Sequence, residues 1–143
     1  MGVGNPGRGD DAVGRVVAEE LRGRNGCALE VRECSGEATA LMEAWTGFDD
    51  VAVVDACLGA GPPGSLHRFG AHELERLETV LPRRYASTHG IGVAEAVALA
   101  RALGRLPSRL VIYAIEGRHF RAATPLSAEV HAAVRQLVAL LVQ

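Results

Sequence analysis

The sequence lacks the features that mark several classes of protein. Its 143 residues carry a formal net charge of −2, so there is no basic excess for nucleic acid or an anionic membrane surface. No apolar run approaches the roughly 18–20 residues that a transmembrane helix needs, and no apolar run behind a basic flank indicates a signal peptide. We therefore expect a cytoplasmic protein that works without nucleic acid or membrane.

Cysteine is scarce, and the motifs of covalent catalysis are missing. The three cysteines, Cys27, Cys34 and Cys57, are odd in number and lack C-x-x-C spacing, which predicts free thiols in a reducing compartment. None of them lies beside a histidine, and the chain has no G-x-S-x-G elbow. The sequence therefore gives no support to a covalent nucleophile.

What is present indicates one α/β domain spanning residues 1–143. Hydrophobic residues make up 48% of the chain and charged residues 22%, which is typical of a globular domain. The apolar run at 51–55 predicts a strand that is covered on both faces. Further strands are expected at 29–33, 65–69 and 109–115, and helices at 11–21, 38–45, 71–81, 92–103 and from 127 onward. This alternation predicts a three-layer α/β/α domain with a mainly parallel, twisted sheet.

The first residues match a nucleotide-binding fingerprint. Residues 2–7 read Gly-Val-Gly-Asn-Pro-Gly, which fits G-x-G-x-x-G, and Glu33 is placed where a ribose-binding acid would lie. However, Asp10 and Asp11 would repel a pyrophosphate, and no Walker lysine is present. A dinucleotide-binding α/β module is therefore the alternative hypothesis, which stabilisation by NAD, NADP or FAD would support.

Three polar residues lie at equivalent places in the expected fold. Asp55 ends a buried strand, and His89 lies in a small-residue loop before a helix. Asp10 alone would suffice to cap the first helix, which leaves Asp11 without a capping role. Because ligands bind at the carboxyl edge of parallel strands, these residues are expected to converge there. Two carboxylates and an imidazole suit a divalent transition metal with open positions. Helix caps and an ordinary loop histidine are the alternative interpretations.

With these residues assembled, the chain resembles the maturation endopeptidases of [NiFe] hydrogenases. Residues 2–14 are similar to that family's opening signature, Gly-x-Gly-Asn-Pro-x-x-Gly-Asp-Asp-x-x-Gly. Val-Val-Asp-Ala at 53–56 with Pro-Gly at 63–64 resembles its central strand and loop. Ser-Thr-His-Gly-Ile-Gly-Val-Ala-Glu-Ala at 87–96 is similar to its histidine motif, and Tyr-Ala-Ile-Glu-Gly at 113–117 to its late strand. The motifs occur in the family's order and spacing.

The resemblance implies a specific activity. Such enzymes remove a C-terminal extension from the precursor of the hydrogenase large subunit after nickel insertion. The family's nickel-binding positions fall on Asp11, Asp55 and His89, and its adjacent acid on Asp10. Nickel is carried by the substrate, so the free enzyme, expected as a monomer, need bind no metal. Nickel would serve for recognition and as a Lewis acid. The catalytic group is unassigned, with Asp11 and Asp55 as candidates, and a non-cleaving chaperone of the same precursor is a further alternative.

Three features lie outside the resemblance or depart from it. The family often has Asp followed by glycines after its second strand, whereas residues 33–37 here read Glu-Cys-Ser-Gly-Glu. This difference affects the loop expected to determine substrate specificity, and not the metal site. Cys57, two residues beyond Asp55, is either a soft auxiliary ligand or a small core residue. Glu116 either assists substrate binding or forms a salt bridge with Arg118.

The start of the chain generates a prediction. Only Met1 precedes Gly2, whereas the family has a hydrophobic strand directly before its Gly-x-Gly-Asn motif, so the first strand is expected to be missing or a stub of two or three residues. Loss of a central strand would expose backbone groups of its neighbours. We therefore expect the reading frame to extend upstream by a Val/Ile/Leu-rich segment of about five residues. A stop codon immediately upstream, with cooperative unfolding of these 143 residues, would contradict this.

Overall fold

The computed structural model describes residues 1–24, 26, 28–59, 61–73, 75–76 and 92–143. The strands are β1 Gly2–Val3, β2 Glu33–Cys34, β3 Asp50–Cys57, β4 Leu66–Gly70 and β5 Arg109–Glu116. The α-helices of the described part are α1 Val13–Arg22, α2 Ala38–Trp45, α3 Val93–Ala102 and α4 Ala128–Leu141, with short 3-10 turns at Gly9–Ala12 and Ala71–Glu73. Within these ranges, no helix has the length and apolar character that crossing a membrane requires.

The strands form one five-stranded sheet in the order β2-β1-β3-β5-β4. The first four strands in this order are parallel to one another, and β4 pairs antiparallel with β5 at the edge. β3 and β5 are paired over their full lengths, from Asp50 opposite Arg109 to Cys57 opposite Glu116. The expected α/β fold with a mainly parallel sheet is confirmed.

A hydrophobic core lies on each face of the sheet. One core contains side chains of α2 and α3, and the other contains side chains of α1 and α4. Along β3, Val53 points into the first core and Val54 into the second, because successive side chains of a strand alternate between the faces. This double coverage explains why β3 reads as a continuous apolar run, and it confirms the expected three layers.

The second strand is shorter than expected. The alternation at 29–33 predicted a strand there, but β2 begins only at Glu33, and Leu29 is 46% exposed. β2 pairs with β1, whose two residues lie opposite Glu33 and Cys34. The Arg32 carbonyl accepts from the Gly2 N–H at 2.8 Å, but residues 29–32 are not part of a strand. The strand prediction for 29–32 is wrong because local alternation does not supply a neighbour.

Two of the expected helices differ from the observed structure or lie partly outside the described residues. A helix cap was one interpretation of Asp10 or Asp11, but α1 begins at Val13 with Ala12 at the N-cap, which makes no side-chain capping bond. Ala71–Glu73 forms a 3-10 turn, while most of the helix expected at 71–81 lies outside the described residues.

The first strand is a stub of two residues at the centre of the sheet. Because Gly2 lies opposite Val54, the contacts toward the amino half of β3 are made by Met1, whose α-amino group donates to the Ala52 carbonyl at 2.6 Å. Burial lowers the pKa of that amino group. Beside it lies a cavity of about 770 Å³, bordered by residues 28–32 and 50–52. The upstream segment stays a prediction.

The close approach of α1 to the sheet generates a test by substitution. A Cβ at Gly14 would collide with the carbonyl oxygens of Val3 and Val54, which belong to β1 and β3. Gly14→Ala should lower the free energy of unfolding by about 2–4 kcal/mol, since backbone atoms cannot move aside as a flexible side chain can. Urea denaturation measures the loss.

Gly23, the residue that ends the same helix, is the matched control. Its backbone is right-handed helical, and a Cβ there would meet nothing closer than the Glu20 carbonyl oxygen at 3.6 Å. Gly23→Ala should be neutral or stabilising by up to about 1 kcal/mol. Equal destabilisation by both substitutions would contradict this packing of α1 on β1.

Candidate active site

The carboxyl edge of the sheet contains a topological switch point. β1 has β2 on one side and β3 on the other, so the connections that leave β1 and β3 diverge at their carboxyl ends. Switch points of this kind are where open α/β sheets bind ligands. Two of the three expected site residues belong to the segments that border it.

Asp11 follows β1 and Asp55 lies in β3. Asp11 is part of the 3-10 turn Gly9–Ala12, is 8% exposed, and is reached from β1 by a loop of five residues, 4–8. That loop folds back tightly, because Gly4 adopts φ 144° and a Cβ there would collide with the Asp11 carbonyl. Asp55 is 5% exposed, and its Oδ1 accepts from the Ala56 N–H at 2.8 Å. His89 lies outside the described residues.

Asp10 has a structural role that differs from the expected cap. The side chain is fully buried, and its carboxylate accepts from the backbone N–H groups of Arg118 at 2.7 Å, His119 at 3.3 Å and Ser127 at 2.7 Å. The Ser127 hydroxyl donates to both carboxylate oxygens, at 3.1 and 3.0 Å. Asp10 therefore joins the first loop to the segment after β5 and to the start of α4.

The backbone of the first loop supports the same connection. The Gly9 N–H donates to the Thr124 carbonyl at 3.1 Å, and the Ala123 N–H donates to the Gly7 carbonyl at 2.8 Å. The Asp10 N–H donates to the His119 carbonyl at 3.0 Å. These bonds fix the turn that carries Asp11, although β1 itself contributes only two residues to the sheet.

Glu116 lies at the carboxyl end of β5 and is also buried, at 3% exposure. Its Oε1 accepts from the Gly59 N–H at 2.5 Å, and its Oε2 accepts from the Cys57 thiol at 3.3 Å. The alternative salt bridge between Glu116 and Arg118 is not formed, because the Arg118 guanidinium pairs with Glu129 on α4 instead. Cys57 is fully buried, as either of its interpretations allows.

His67 is a residue that the sequence did not single out. It lies on β4 opposite Ala114, which in turn lies opposite Asp55 on β3, so all three belong to one row across the sheet. Its Nε2 is 3.9 Å from Glu116 Oε2. The only sequence signal was its position in an expected strand, since the pairing of β4 with β5 is antiparallel and not local.

The residue that a nucleotide site would need is engaged elsewhere. Glu33, the candidate ribose-binding acid, forms ion pairs with Arg15, at 3.1 Å, and with Arg22. Arg15 also donates to the Gly4 carbonyl at 2.7 Å. These contacts join α1 to β2 and the first loop, and they give Glu33 a structural role.

The chemistry available at this edge is that of anionic oxygen ligands. The buried charged side chains of the described residues are four carboxylates, Asp10, Asp11, Asp55 and Glu116. Backbone donors surround Asp10, whereas Asp11 and Asp55 lie on the two segments that border the switch point. Carboxylates in such a position are suited to hold a divalent cation.

Comparison with known proteins identifies relatives over nearly the whole chain. The family model HycI, described as hydrogenase maturation protease, matches residues 17–143. Among curated proteins, the sequence search finds no match.

Solved structures show the same fold. The hydrogenase maturating endopeptidase HybD from E. coli is 24% identical with a TM-score of 0.75, covering 98% of this chain and 88% of that one. The [NiFe] hydrogenase maturation protease HybD from Thermococcus kodakarensis is 21% identical with a TM-score of 0.74, covering 99% and 96%. The hydrogenase 2 maturation peptidase from Thaumarchaeota archaeon SCGC_AB-539-E09 is 25% identical with a TM-score of 0.66, covering 98% and 91%.

The contacts of Asp10 predict a stability effect. Asp10→Ala should lower the free energy of unfolding by about 3 kcal/mol, because it removes a fully buried charged acceptor from three part-buried backbone N–H groups. Ser127→Ala removes only the hydroxyl and keeps the backbone donor, so it should cost about 1 kcal/mol. Urea denaturation of both variants measures the difference, and an Asp10→Ala variant as stable as Ser127→Ala would contradict this role.

Proposed function

The chain belongs to the hydrogenase maturation protease family, whose members are peptidases, and on that premise we propose that it removes the C-terminal extension of a [NiFe]-hydrogenase large-subunit precursor after nickel insertion. The observation that carries the proposal is the pair of buried carboxylates, Asp11 and Asp55, on the two segments that border the switch point. Substrate-bound nickel is the cation that this pair would meet.

The proposed nickel ligands are Asp11, Asp55 and His89. Two buried carboxylates at one edge of a sheet have little hydration to lose when they ligate a cation, which favours metal binding there. A nickel ion carried by the precursor would be that cation, present only when the correctly loaded substrate is bound. The enzyme would thereby distinguish loaded from unloaded precursor through the free energy of metal ligation.

The proposed chemistry uses the metal and a carboxylate. Nickel would act as a Lewis acid that polarises the scissile carbonyl or a water molecule. Asp11 or Asp55 is the candidate general base, since either could accept a proton from the attacking water. Deep placement of both carboxylates at the end of the sheet limits the access of bulk water, which strengthens their interaction with a cation.

The proposal predicts which variants lose activity. Asp55→Ala and His89→Ala should abolish processing of a nickel-loaded precursor, measured as the shift of the large subunit to a smaller size on a gel. Both should leave the fold largely intact, because the proposed ligands are expected to contribute little packing. Removal of the Asp55 carboxylate also relieves its repulsion with Asp11. Circular dichroism and thermal unfolding check the fold.

Asp50→Ala is the matched control for Asp55→Ala. Asp50 is the same residue type on the same strand, but it is exposed at the opposite end and pairs with Arg109 at 3.3 Å. This variant should process at the wild-type rate. Wild-type cleavage by Asp55→Ala, or cleavage of a nickel-free precursor at an equal rate, would overturn the proposal. A stable complex with uncut precursor would indicate a chaperone.

A further inference from the structure

A second cluster of metal-ligating side chains lies beside Asp55. Cys57 on β3, His67 on β4 and Glu116 on β5 each offer one ligand atom, and these three atoms lie within 4.8 Å of one another. The cluster comes from three adjacent strands, and no two of its residues are closer than ten positions in the sequence. No short motif could therefore have revealed it.

The distances fit a metal ion. For metal bonds of about 2.3 Å to sulfur and about 2.0–2.1 Å to nitrogen and oxygen, tetrahedral ligands are separated by about 3.3–3.6 Å. Cys57 Sγ lies 3.3 Å from Glu116 Oε2, His67 Nε2 lies 3.9 Å from the same oxygen, and all three ligand atoms lie within 4.8 Å of one another. Side-chain movements on the order of an ångström would bring the three atoms to these separations.

His67 supplies an independent indication of a ligand. Its Nε2 is buried and has no hydrogen-bond partner among the described residues, although the side chain as a whole is 24% exposed. A buried nitrogen without a partner is unfavourable, and native structures rarely leave one. A metal ion bound between Nε2, the thiolate and the carboxylate would satisfy it.

The surrounding backbone holds the donors in place. The Gly117 N–H donates to the Cys57 carbonyl at 2.8 Å, and the Gly64 N–H donates to the Glu116 carbonyl at 2.7 Å. Glu116 Oε1 is occupied by the Gly59 N–H, so Oε2 is the oxygen directed at the cluster. Such outer contacts orient metal ligands and tune their affinity.

We propose that Cys57, His67 and Glu116 form a binding site for a divalent transition metal ion, and that Zn²⁺ matches this donor set best. Thiolate, imidazole and carboxylate are the ligand types of protein zinc sites. Three protein ligands leave a fourth position for water, as in zinc sites that are open to further ligands. This site is separate from the proposed nickel ligands, although Cys57 lies only two residues from Asp55.

Titration of the metal-free protein with Co²⁺, a spectroscopic substitute for Zn²⁺, tests the proposal. We expect the d–d bands of a four-coordinate ion together with a sulfur-to-cobalt charge-transfer band, and both should disappear when Zn²⁺ is added. Cys57→Ser should remove the charge-transfer band. Cys34→Ser is the matched control and should retain it, since Cys34 lies on β2, two strands away from β3.

His67→Asn and Glu116→Gln keep similar side-chain volumes and test the other two ligands. Each should weaken Co²⁺ binding by at least about tenfold, since even outer contacts of a metal site are worth about 10–100-fold. Because His67 is partly exposed, its substitution should leave the thermal unfolding of the metal-free protein unchanged. This variant decides the question if Cys57→Ser does not fold.

His89→Ala separates this site from the proposed nickel site. The charge-transfer band should survive in that variant, which has lost a proposed nickel ligand. Absence of any thiolate band in the wild type, its survival in Cys57→Ser, or its loss in His89→Ala would each overturn the proposal of a separate site. Failure of precursor processing would leave these spectra unchanged, so the two proposals are tested independently.

Discussion

The arrangement of this site depends on one buried carboxylate. Asp10 accepts from backbone groups after β5 and at the start of α4, and so it connects the first loop of the chain to its last third. Only two residues of β1 pair with the neighbouring strands, which is too few to fix the direction of the loop that follows. The hydrogen bonds of Asp10 supply that constraint, because a charged acceptor with several donors has one favourable position. Asp11, the next residue, is placed as a consequence.

The packing of the first helix on the sheet depends on one glycine. α1 must approach β1 and β3 closely to cover them, and the absence of a side chain at Gly14 allows this approach. Gly14 thereby sets the spacing between α1 and the two strands beneath it.

Sequence reasoning succeeded where the determining forces are local. The helix at 38–45 and the start of the last helix at about residue 127 follow from periodicity and the residues at the ends, and both are confirmed. The strand at 51–55 was identified because double coverage makes its side chains apolar on both faces. Three features could not be predicted, because each depends on residues far away in the chain. They are the absence of strand structure at 29–32, the antiparallel direction of β4 and the hydrogen-bond donors around Asp10. β1 and β3 are parallel neighbours, so Asp11, which follows β1, and Asp55, which lies in β3, belong to adjacent segments of the sheet. Their roles as metal ligands, with His89, stay a prediction.

The buried acids differ in function because different groups surround them, although the residue types are nearly the same. Asp10 is surrounded by N–H donors, which stabilise its negative charge without any ion. Glu116 has one oxygen on a backbone N–H and the other on a thiol, close to an imidazole nitrogen that lacks a hydrogen-bond partner among the described residues. The first arrangement is complete as a hydrogen-bonded structure, whereas in the second the proposed cation would replace the thiol proton. Counting acids along the sequence cannot separate these cases, because the difference lies in the number of donors that the fold directs at each carboxylate.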